Sequence, residues 1–268
     1  MHDRHSEIVT GLGTPAPDRV VHDARDEPAT DGTIEPLREA AREAKAPHWL
    51  AAYRTRIFAV LAVLALFIFG GLTILVTGGL TSDADVTVTR AVQSLTTPWV
   101  AALMIGVSWI GFPPQAPLLV IGVAALFWLA GYRVEAGFAV AAAASTILTE
   151  TIKHLVSRPR PGSDLVEVIS SASGHSFPSG HVLFYVTFFG FLAYVAYALL
   201  KRGLLRKTLL WTFGLLIVLI GPSRIWMGQH WASDALASYT LGFAYLVVLI
   251  EIYSRYRFKR TAVAQVTG

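Results

Sequence analysis

The sequence predicts an all-α membrane protein: a six-helix transmembrane bundle with an extra amphipathic or re-entrant helix on its outer side. Hydrophobic residues make up 54% of the chain and charged residues only 15%, whereas a typical globular protein has about 25% charged residues. No charged residue occurs between Ala91 and Tyr132, and the lysines and arginines cluster at the ends of apolar stretches. Lipid is therefore the expected solvent for most of the chain.

The ends of the chain differ in composition from this membrane domain. Residues 1–47 are rich in Asp, Glu, Arg, Pro and Thr, which predicts a disordered cytoplasmic tail with a short helix over Pro36–Lys45. They lack the apolar core of a cleavable signal. We expect the membrane domain in residues 48–260 and a short cytoplasmic tail in residues 261–268.

Six apolar stretches come close to the roughly 20 residues that a helix needs to cross a hydrocarbon core of about 30 Å. They are Ile57–Leu80, Pro114–Tyr132, Ala136–Val156, Val182–Leu200, Thr208–Ile220 and Ala235–Ile250. A seventh stretch, Trp99–Phe112, is short, and the prolines at 113, 114 and 117 separate it from the next one. We expect the whole segment Asp83–Phe112 to lie outside or along the outer interface, partly as an amphipathic or re-entrant helix.

The basic residues favour a cytoplasmic location for both termini. With six spans, the Lys201–Lys207 connection and the basic C-terminal end share a side with Arg54 and Arg56, as the positive-inside rule requires. Counting Trp99–Phe112 as a span would move both regions away from that side. The opposite side holds few cations: Arg90, Lys153, Arg158, Arg160 and Arg224. The expected location is the plasma membrane.

Composition also argues against other classes of protein. The formal net charge of +4 could suggest a nucleic-acid partner, but basic residues placed at span ends are typical of membrane anchoring. The chain has no cysteine, which excludes disulfides, thiol catalysis and cysteine-based metal sites.

Three short motifs fall near the outer ends of the later spans. The first joins Lys153 to Arg160-Pro161 across six residues, and the second is Pro178-Ser179-Gly180-His181. The third joins Ser223-Arg224 to His230 and then to Asp234. All three lie on one side of the membrane in the six-span arrangement, so we expect them to form one site.

The cations of this site suit a phosphate group. Lys153, Arg160 and Arg224 stand on the side that otherwise avoids basic residues. The guanidinium fork matches phosphate oxygens, and lysine supplies a mobile point charge. Phosphoryl transfer needs this kind of positioning and charge neutralisation. The alternative for any single cation here is interfacial anchoring.

The second motif is typical of a helix start. Ser179 can cap the helix, and the unpaired N–H groups of a first turn attract anions. Gly180 leaves room for a phosphate, and His181 can exchange a proton near neutral pH. The alternative is a capped helix with an interfacial histidine.

The third motif offers a nucleophile and its partner. His230 and Asp234 are four residues apart and would share one face of a helix. A carboxylate beside a histidine orients the ring and stabilises its cationic form. The alternative is a structural pair at the membrane surface. Glu150 is expected either to pair with a nearby base or to support the site from behind.

These three motifs resemble the signature of the type 2 phosphatidic acid phosphatase (PAP2) family, which also includes vanadium haloperoxidases. The resemblance covers Lys153–Asp234 without a departure from the pattern. It implies that His230 is a nucleophile that forms a phosphohistidine, that Asp234 orients it, and that His181 protonates the leaving oxygen. It also implies that five residues hold the phosphate: Lys153, Arg160, Ser179, Gly180 and Arg224. The resemblance to the phosphatases of this family also implies that no metal or other cofactor is needed.

The expected function is that of an integral membrane lipid phosphatase. Its substrate would be phosphatidic acid, phosphatidylglycerol phosphate or an isoprenoid pyrophosphate. One alternative is a lipid phosphotransferase that uses the same intermediate, and another is a non-catalytic lipid-phosphate transporter or scaffold. A vanadate-dependent haloperoxidase would share the pocket, but the predicted spans argue against it. The sequence does not indicate an oligomeric state.

Overall fold

The structure is a computed structural model that describes the backbone of residues 48–267 and the side chains of residues 56–257. The predicted tail of residues 1–47, with its helix Pro36–Lys45, lies outside this range. The backbone of residues 261–267 belongs to the last helix.

All regular secondary structure in residues 48–267 is helical, as the sequence predicts. Helices suit an apolar solvent because they satisfy backbone hydrogen bonds within one segment. A π-helical turn, Tyr185–Phe189, joins α7 to α8 without a break. The helices are α1 (His48–Thr77), α2 (Ser82–Gln93), α3 (Pro98–Trp109), α4 (Gln115–Leu129), α5 (Arg133–Ala143), α6 (Ser145–Val156), α7 (Gly180–Phe184), α8 (Gly190–Leu199), α9 (Leu204–Trp226) and α10 (Ala232–Thr267).

Four helical stretches in the described residues are long and apolar enough to cross a membrane. They are Arg56–Thr77, Gly180–Leu199, Leu204–Trp226 and Ala232–Arg257, and they coincide with four of the six predicted spans. Helix α4 has 15 residues, or about 22 Å of helix, which is shorter than the hydrocarbon core. The full set of six spans therefore stays a prediction.

The predicted span Ala136–Val156 is interrupted at Ala144, where α5 ends and α6 begins. The hydroxyl of Thr187, in the π-helical turn, lies 2.8 Å from Ser145 Oγ and donates to the carbonyl of Ala142 at 2.9 Å. A side chain that takes over a backbone carbonyl in this way is a known cause of helix breaks. The sequence analysis did not anticipate this one.

The segment predicted to lie at the outer interface forms α2 and α3. Their axes are bent by 119° at residues 94–97, and Pro98 occupies the first turn of α3, where its missing N–H is not needed. Such a bent pair is either a broken span or a re-entrant hairpin.

The protein core lies around the continuous segment from α7 to α8. Leu183, Tyr185, Phe188 and Phe191 are fully buried there, and they pack against α5, α9 and α10. Helix α1 packs along α10 through small residues, Ala62 and Ala65 against Ala244, as close helix packing in membranes requires. The outer surface, by contrast, exposes large apolar side chains, a pattern typical of contact with lipid.

Helix α9 contains Pro222 near its end. Proline lacks the N–H that would bond to the carbonyl of Val218. The hydroxyl of Tyr239 in α10 lies at this point, where it donates to the carbonyls of Ile217 (2.8 Å) and Val218 (3.1 Å) and accepts from the N–H of Gly221 (2.9 Å). The helix therefore continues beyond the proline and carries Ser223 and Arg224, the first two residues of the third motif.

Candidate active site

The three motifs predicted to form one site do come together. Lys153 lies in the last turn of α6, and Arg160 follows in the 157–179 connection. Ser179, Gly180 and His181 stand at the beginning of α7, and Arg224 lies in the last turn of α9. Asp234 belongs to the first turn of α10, and His230 immediately precedes this helix.

His230 and Asp234 are close, although not as two residues of one helix. His230 lies in the turn before α10, and its Nδ1 is 3.5 Å from Asp234 Oδ2. This distance allows ion pairing but exceeds that of a well-formed hydrogen bond. On the other side of the ring, Nε2 is 3.3 Å from Nη1 of Arg160. If Nδ1 carries the proton, the lone pair of Nε2 faces Arg160.

Burial keeps the His230 ring neutral. Desolvation is the main cause that lowers the pKa of His230, to about 4, while the nearby Asp234 carboxylate acts in the opposite direction. Arg224 and Arg160 contribute further to the lowering. At neutral pH the ring is therefore unprotonated, which a nucleophile requires.

Asp234 is held from two sides. Its Oδ2 accepts a hydrogen bond from the backbone N–H of Trp231 at 2.9 Å, so the third helical residue reaches back to the N-cap in the manner of a capping box. Its Oδ1 accepts a hydrogen bond from Arg158. The carboxylate is fully buried, and these two donors fix its orientation toward His230.

Arg158 lies between two buried carboxylates. Its Nη1 donates to Asp234 and, at 2.7 Å, to Ser233 Oγ. Its Nη2 donates to Asp85 Oδ2 at 2.6 Å and to Thr81 Oγ1 at 3.1 Å. The backbone N–H and the hydroxyl of Ser233 also donate to Asp85, at 2.8 and 2.7 Å. This network links α2 to the first turn of α10.

Arg160 reaches across the 157–179 connection to His230. Besides approaching His230, it donates to the backbone carbonyls of Gln229 (2.7 Å), Gly174 (3.1 Å) and Ser173 (3.2 Å). Desolvation lowers the pKa of Arg160, and the carboxylates of Asp234 and Glu150 oppose this effect. Arg160 is thus placed to meet an anion bound next to His230 Nε2.

Lys153 lies close to the beginning of α7. Its Nζ pairs with Glu150 at 2.7 Å, as one of the two readings of Glu150 anticipated. A Cβ atom on Gly180 would lie 3.9 Å from this Nζ. Ser179 does not cap α7 through its side chain, contrary to expectation. Its backbone N–H donates to Ser238 Oγ at 2.7 Å instead.

His181 and Arg224 share Phe112 as a neighbour. The His181 ring contacts Phe112 edge to face, with centroids 4.8 Å apart, and the Arg224 guanidinium carbon lies 4.9 Å from the centroid of the same ring. Gly111 is so close that a Cβ there would come within 2.4 Å of His181 Cδ2. Arg224 also donates to Ser108 Oγ at 3.2 Å. The end of α3 and the turn after it therefore form one wall of the site.

Several polar atoms of this site are buried and have no hydrogen-bond partner among the described residues. They are Ser179 Oγ, His181 Nε2, Arg224 Nε and His230 Nδ1. Such an atom typically costs about 1–3 kcal/mol when it is left unpaired. His230 Nδ1 faces Asp234, and the other three atoms suit a ligand with several oxygen atoms.

Sequence reasoning missed three residues of this site: Asp85, Gly111 and Phe112. It counted Arg158 only among the cations of the outer side and gave it no role in the site. The only signal for Arg158 was its place between Lys153 and Arg160. Asp85 stands in an amphipathic helix whose buried face cannot be identified without its partner. Gly111 and Phe112 belong to an apolar stretch in which no single residue stands out.

The 157–179 connection is fastened to the protein beside the site. Arg90 donates to the carbonyl of Leu165 at 3.0 and 2.7 Å, and Gln93 exchanges hydrogen bonds with the backbone of Glu167. A surface cleft of about 490 Å³ lies there, but none of the motif residues lines it. The position of the chemistry therefore follows from the side-chain geometry around His230, not from the cleft.

Comparison with known proteins agrees with the motifs. The family model described as the PAP2 superfamily matches residues 135–258. Phosphatidylglycerophosphatase B of Bacillus subtilis (strain 168) is 26% identical over 162 residues, which are 60% of this chain and 78% of the relative. Asp85, Gly111 and Phe112 precede the region that the family model covers.

A solved structure shows the same fold. The crystal structure of a transmembrane PAP2-type phosphatidylglycerolphosphate phosphatase from Bacillus subtilis superposes with a TM-score of 0.65 at 21% identity, covering 72% of this chain and 96% of that one. The crystal structure of Aquifex aeolicus LpxE gives a TM-score of 0.47 at 21% identity, covering 62% of this chain and 93% of that one. The family match over residues 135–258 and the intact motifs show that this chain is similar to the PAP2 superfamily, and that it is a phosphoric ester hydrolase of the PAP2 type.

Proposed function

We propose that this protein removes a terminal phosphate from a membrane lipid through a phosphohistidine formed on His230 Nε2. The observation that carries the proposal is the convergence of buried, unpaired polar atoms of Ser179, His181 and Arg224 on the pocket that holds His230 and Arg160. A phosphate group has enough oxygen atoms to satisfy these donors together.

In the first step, the lone pair of His230 Nε2 forms a bond to phosphorus while the bond from phosphorus to the lipid oxygen breaks. Asp234 stabilises the positive charge that develops on the ring. His181 gives a proton to the departing oxygen. Lys153, Arg160, Ser179, the space at Gly180 and Arg224 hold the remaining oxygens.

In the second step, a water molecule attacks phosphorus. His181 takes a proton from this water, the nitrogen–phosphorus bond breaks, and inorganic phosphate leaves. His230 recovers its neutral ring, for which its lowered pKa, about 4, is suited. A second lipid in place of water would make the protein a phosphotransferase.

Among the candidate substrates, phosphatidylglycerol phosphate is favoured. The curated relative and the first of the two solved structures, both from Bacillus subtilis, are named as phosphatases of this lipid. Phosphatidic acid and isoprenoid pyrophosphates carry the same terminal phosphate and are the other candidates. A non-catalytic transporter would need the cations but not a nucleophile with an orienting carboxylate.

The reaction is proposed to need no metal ion, because cationic side chains take the place that Mg²⁺ occupies in other phosphoryl transfers. Within the described residues, no three His, Asp or Glu side chains are grouped as a metal site requires. We further propose six spans within residues 48–260, cytoplasmic termini and a site at the outer face of the plasma membrane.

The test is phosphate release by the purified protein from the three lipid classes, with excess chelator present throughout. We expect turnover by the wild type, fastest with phosphatidylglycerol phosphate, and only background turnover by His230→Ala. A ³²P-labelled substrate should leave an acid-labile, alkali-stable label on the wild type but none on His230→Ala. His154→Ala is the matched control, because His154 is exposed near the site and has no role in the mechanism.

Wild-type turnover by His230→Ala would refute the phosphohistidine mechanism, and loss of turnover in chelator that Mg²⁺ restores would refute metal independence. Adding an acceptor lipid and following the label separates a transferase from a hydrolase, because only a transferase moves the label into lipid.

A further inference from the structure

The buried network around Arg158 contains one guanidinium and two carboxylates. Within the described residues, the carboxylate oxygens of Asp85 accept hydrogen bonds from Arg158 and Ser233. Asp85 is 3% exposed and Asp234 is not exposed at all. A buried charged group is retained only at a considerable desolvation cost, so the second carboxylate requires an explanation.

Asp234 faces two competing partners. Its Oδ1 is in hydrogen-bond contact with Arg158, whereas its Oδ2 is 3.5 Å from His230 Nδ1. A full positive charge in direct contact cancels much of the field of a carboxylate. With Arg158 as its only charged neighbour, Asp234 would do little to stabilise the positive charge that phosphoryl transfer creates on the His230 ring.

Asp85 changes this balance. It binds the opposite end of the same guanidinium, through Nη2 at 2.6 Å. The two carboxylates and one guanidinium together keep one negative charge, and the His230 ring lies beside it, with Nδ1 3.5 Å from Asp234 Oδ2. Arg158 can then fix the orientation of Asp234 without cancelling its electrostatic effect.

We infer that Asp85 is a positioning residue of the reaction: it compensates the charge of Arg158 so that Asp234 can stabilise the cationic His230 ring. The inference rests on the proposed function, because it concerns the charge formed when His230 attacks phosphorus. It extends the site to α2, a helix outside the region that the family model matches.

The first test is Asp85→Asn, which keeps the size of the side chain and removes its charge. We expect kcat to fall by about tenfold or more and KM to change by less than about twofold, because the lost interaction acts on the transition state and not on bound phosphate. Asp83→Asn is the matched control, since Asp83 is exposed on the same helix, and it should leave both constants unchanged.

The second test is the double variant Asp85→Asn/Arg158→Gln, which removes both opposite charges and leaves Asp234 alone with its negative charge. We expect its kcat to exceed that of Asp85→Asn and to reach within about tenfold of the wild type. If Asp85 only held α2 in place, removing a second partner of the network would lower kcat further.

The inference is overturned by either of two results: a kcat of Asp85→Asn within twofold of the wild type, or a double variant no faster than Asp85→Asn. If Asp85→Asn does not accumulate as folded protein, the double variant decides alone, and a kcat below about 1% of the wild type refutes the inference. Failure of the proposed function is recognised separately, because His230→Ala would then keep its turnover.

Discussion

His181 and His230 contribute to the same pocket in different surroundings. His230 lies between a carboxylate and a guanidinium, with Asp234 at one ring nitrogen and Arg160 at the other. His181 packs against Phe112, and its Nε2 has no partner among the described residues. The proposal assigns the nucleophile to the first ring and the proton donor to the second, and these roles respond differently to the leaving group.

His181→Ala should slow the first step of hydrolysis most for substrates whose leaving group needs a proton. A lipid alkoxide is a poor leaving group, so general-acid assistance of about 10²–10⁴-fold is at stake. An aryl phosphate releases a phenolate, which needs little help. We therefore expect His181→Ala to slow phosphatidic acid far more than an aryl phosphate in burst-phase measurements of the first step.

His230→Ala provides the comparison, because a nucleophile is required whatever group departs, and it should abolish the first step with both substrates. An equal loss for both substrates in His181→Ala would show that His181 is not the acid. Holding the phosphate would then be its better assignment.

At this scale the sequence indicated the residues of the three motifs but not the residues that pack against them. Lys153, Arg160, His181, Arg224 and Asp234 could be found because cations, histidines and carboxylates are rare near spans. Asp85 could not be found, since its function depends on a partner in another helix. Such contacts are set by tertiary packing, which leaves no local pattern.

At the scale of helices, the site depends on how closely α3 approaches α7. The turn after α3 brings Gly111 against the His181 ring, where a Cβ would lie 2.4 Å from Cδ2 and 3.0 Å from Nε2. Heavy atoms do not approach this closely, so either the ring or the turn has to move.

Gly111→Ala should therefore lower kcat by displacing His181. A misplacement of about 1 Å can cost about 10²-fold in rate, and we expect a loss of about 10–100-fold with the protein still folded. The measurement is kcat with phosphatidylglycerol phosphate, alongside thermal unfolding. Gly106→Ala is the matched control, because a Cβ at this position of α3 meets nothing within 4 Å.

Equal turnover by Gly111→Ala and Gly106→Ala would mean that the turn yields and that α3 does not set the position of His181. A loss of kcat that accompanies a much lower unfolding temperature would instead assign the effect to stability.

The helices themselves were predicted better than their interruptions. Uncharged stretches indicated where helices run, and prolines indicated the boundary between α3 and α4. The break at Ala144 arises from the hydroxyl of Thr187 in another helix, so its own sequence gives no sign of it. At Pro222, by contrast, the sequence itself indicates a break. The helix nevertheless continues there, because the hydroxyl of Tyr239 supplies hydrogen-bond partners.

At the scale of the whole molecule, the prediction concerns which side of the membrane each connection between helices faces. The distribution of basic residues predicts that the 157–179 connection faces outward and that the Lys201–Lys207 connection faces the cytoplasm. Within the residues that the structure describes, helix length and composition identify four candidate spans, or five if the bent pair α2–α3 counts as one. The charge distribution thus bears on the orientation of the helices, whereas helix length bears on the number of spans.

Single cysteines can decide the orientation, because the chain has none of its own. Ser171→Cys should react with a membrane-impermeant thiol reagent in intact cells. Gly203→Cys should react only after permeabilisation. Gly203 suits the purpose, since it is exposed, its backbone is extended, and a Cβ there makes only an ordinary contact.

The reverse labelling pattern would place the site on the cytoplasmic side. Labelling of both positions in intact cells would place them on the same side of the membrane. The six-span arrangement puts one span between them, so this result would contradict it.

The contact between Asp85 and Ser233 also has a consequence for the order of assembly. The two residues are 148 positions apart, which at ~5–20 residues per second corresponds to about 7–30 s of synthesis. Until Arg158 is made, 73 residues after Asp85, the Asp85 carboxylate has neither of these partners, and a carboxylate without partners is costly to bury. We therefore expect α2 to stay near water until the later helices arrive, so that His230 and the helix proposed to support it are set in place together, late in the protein's biogenesis.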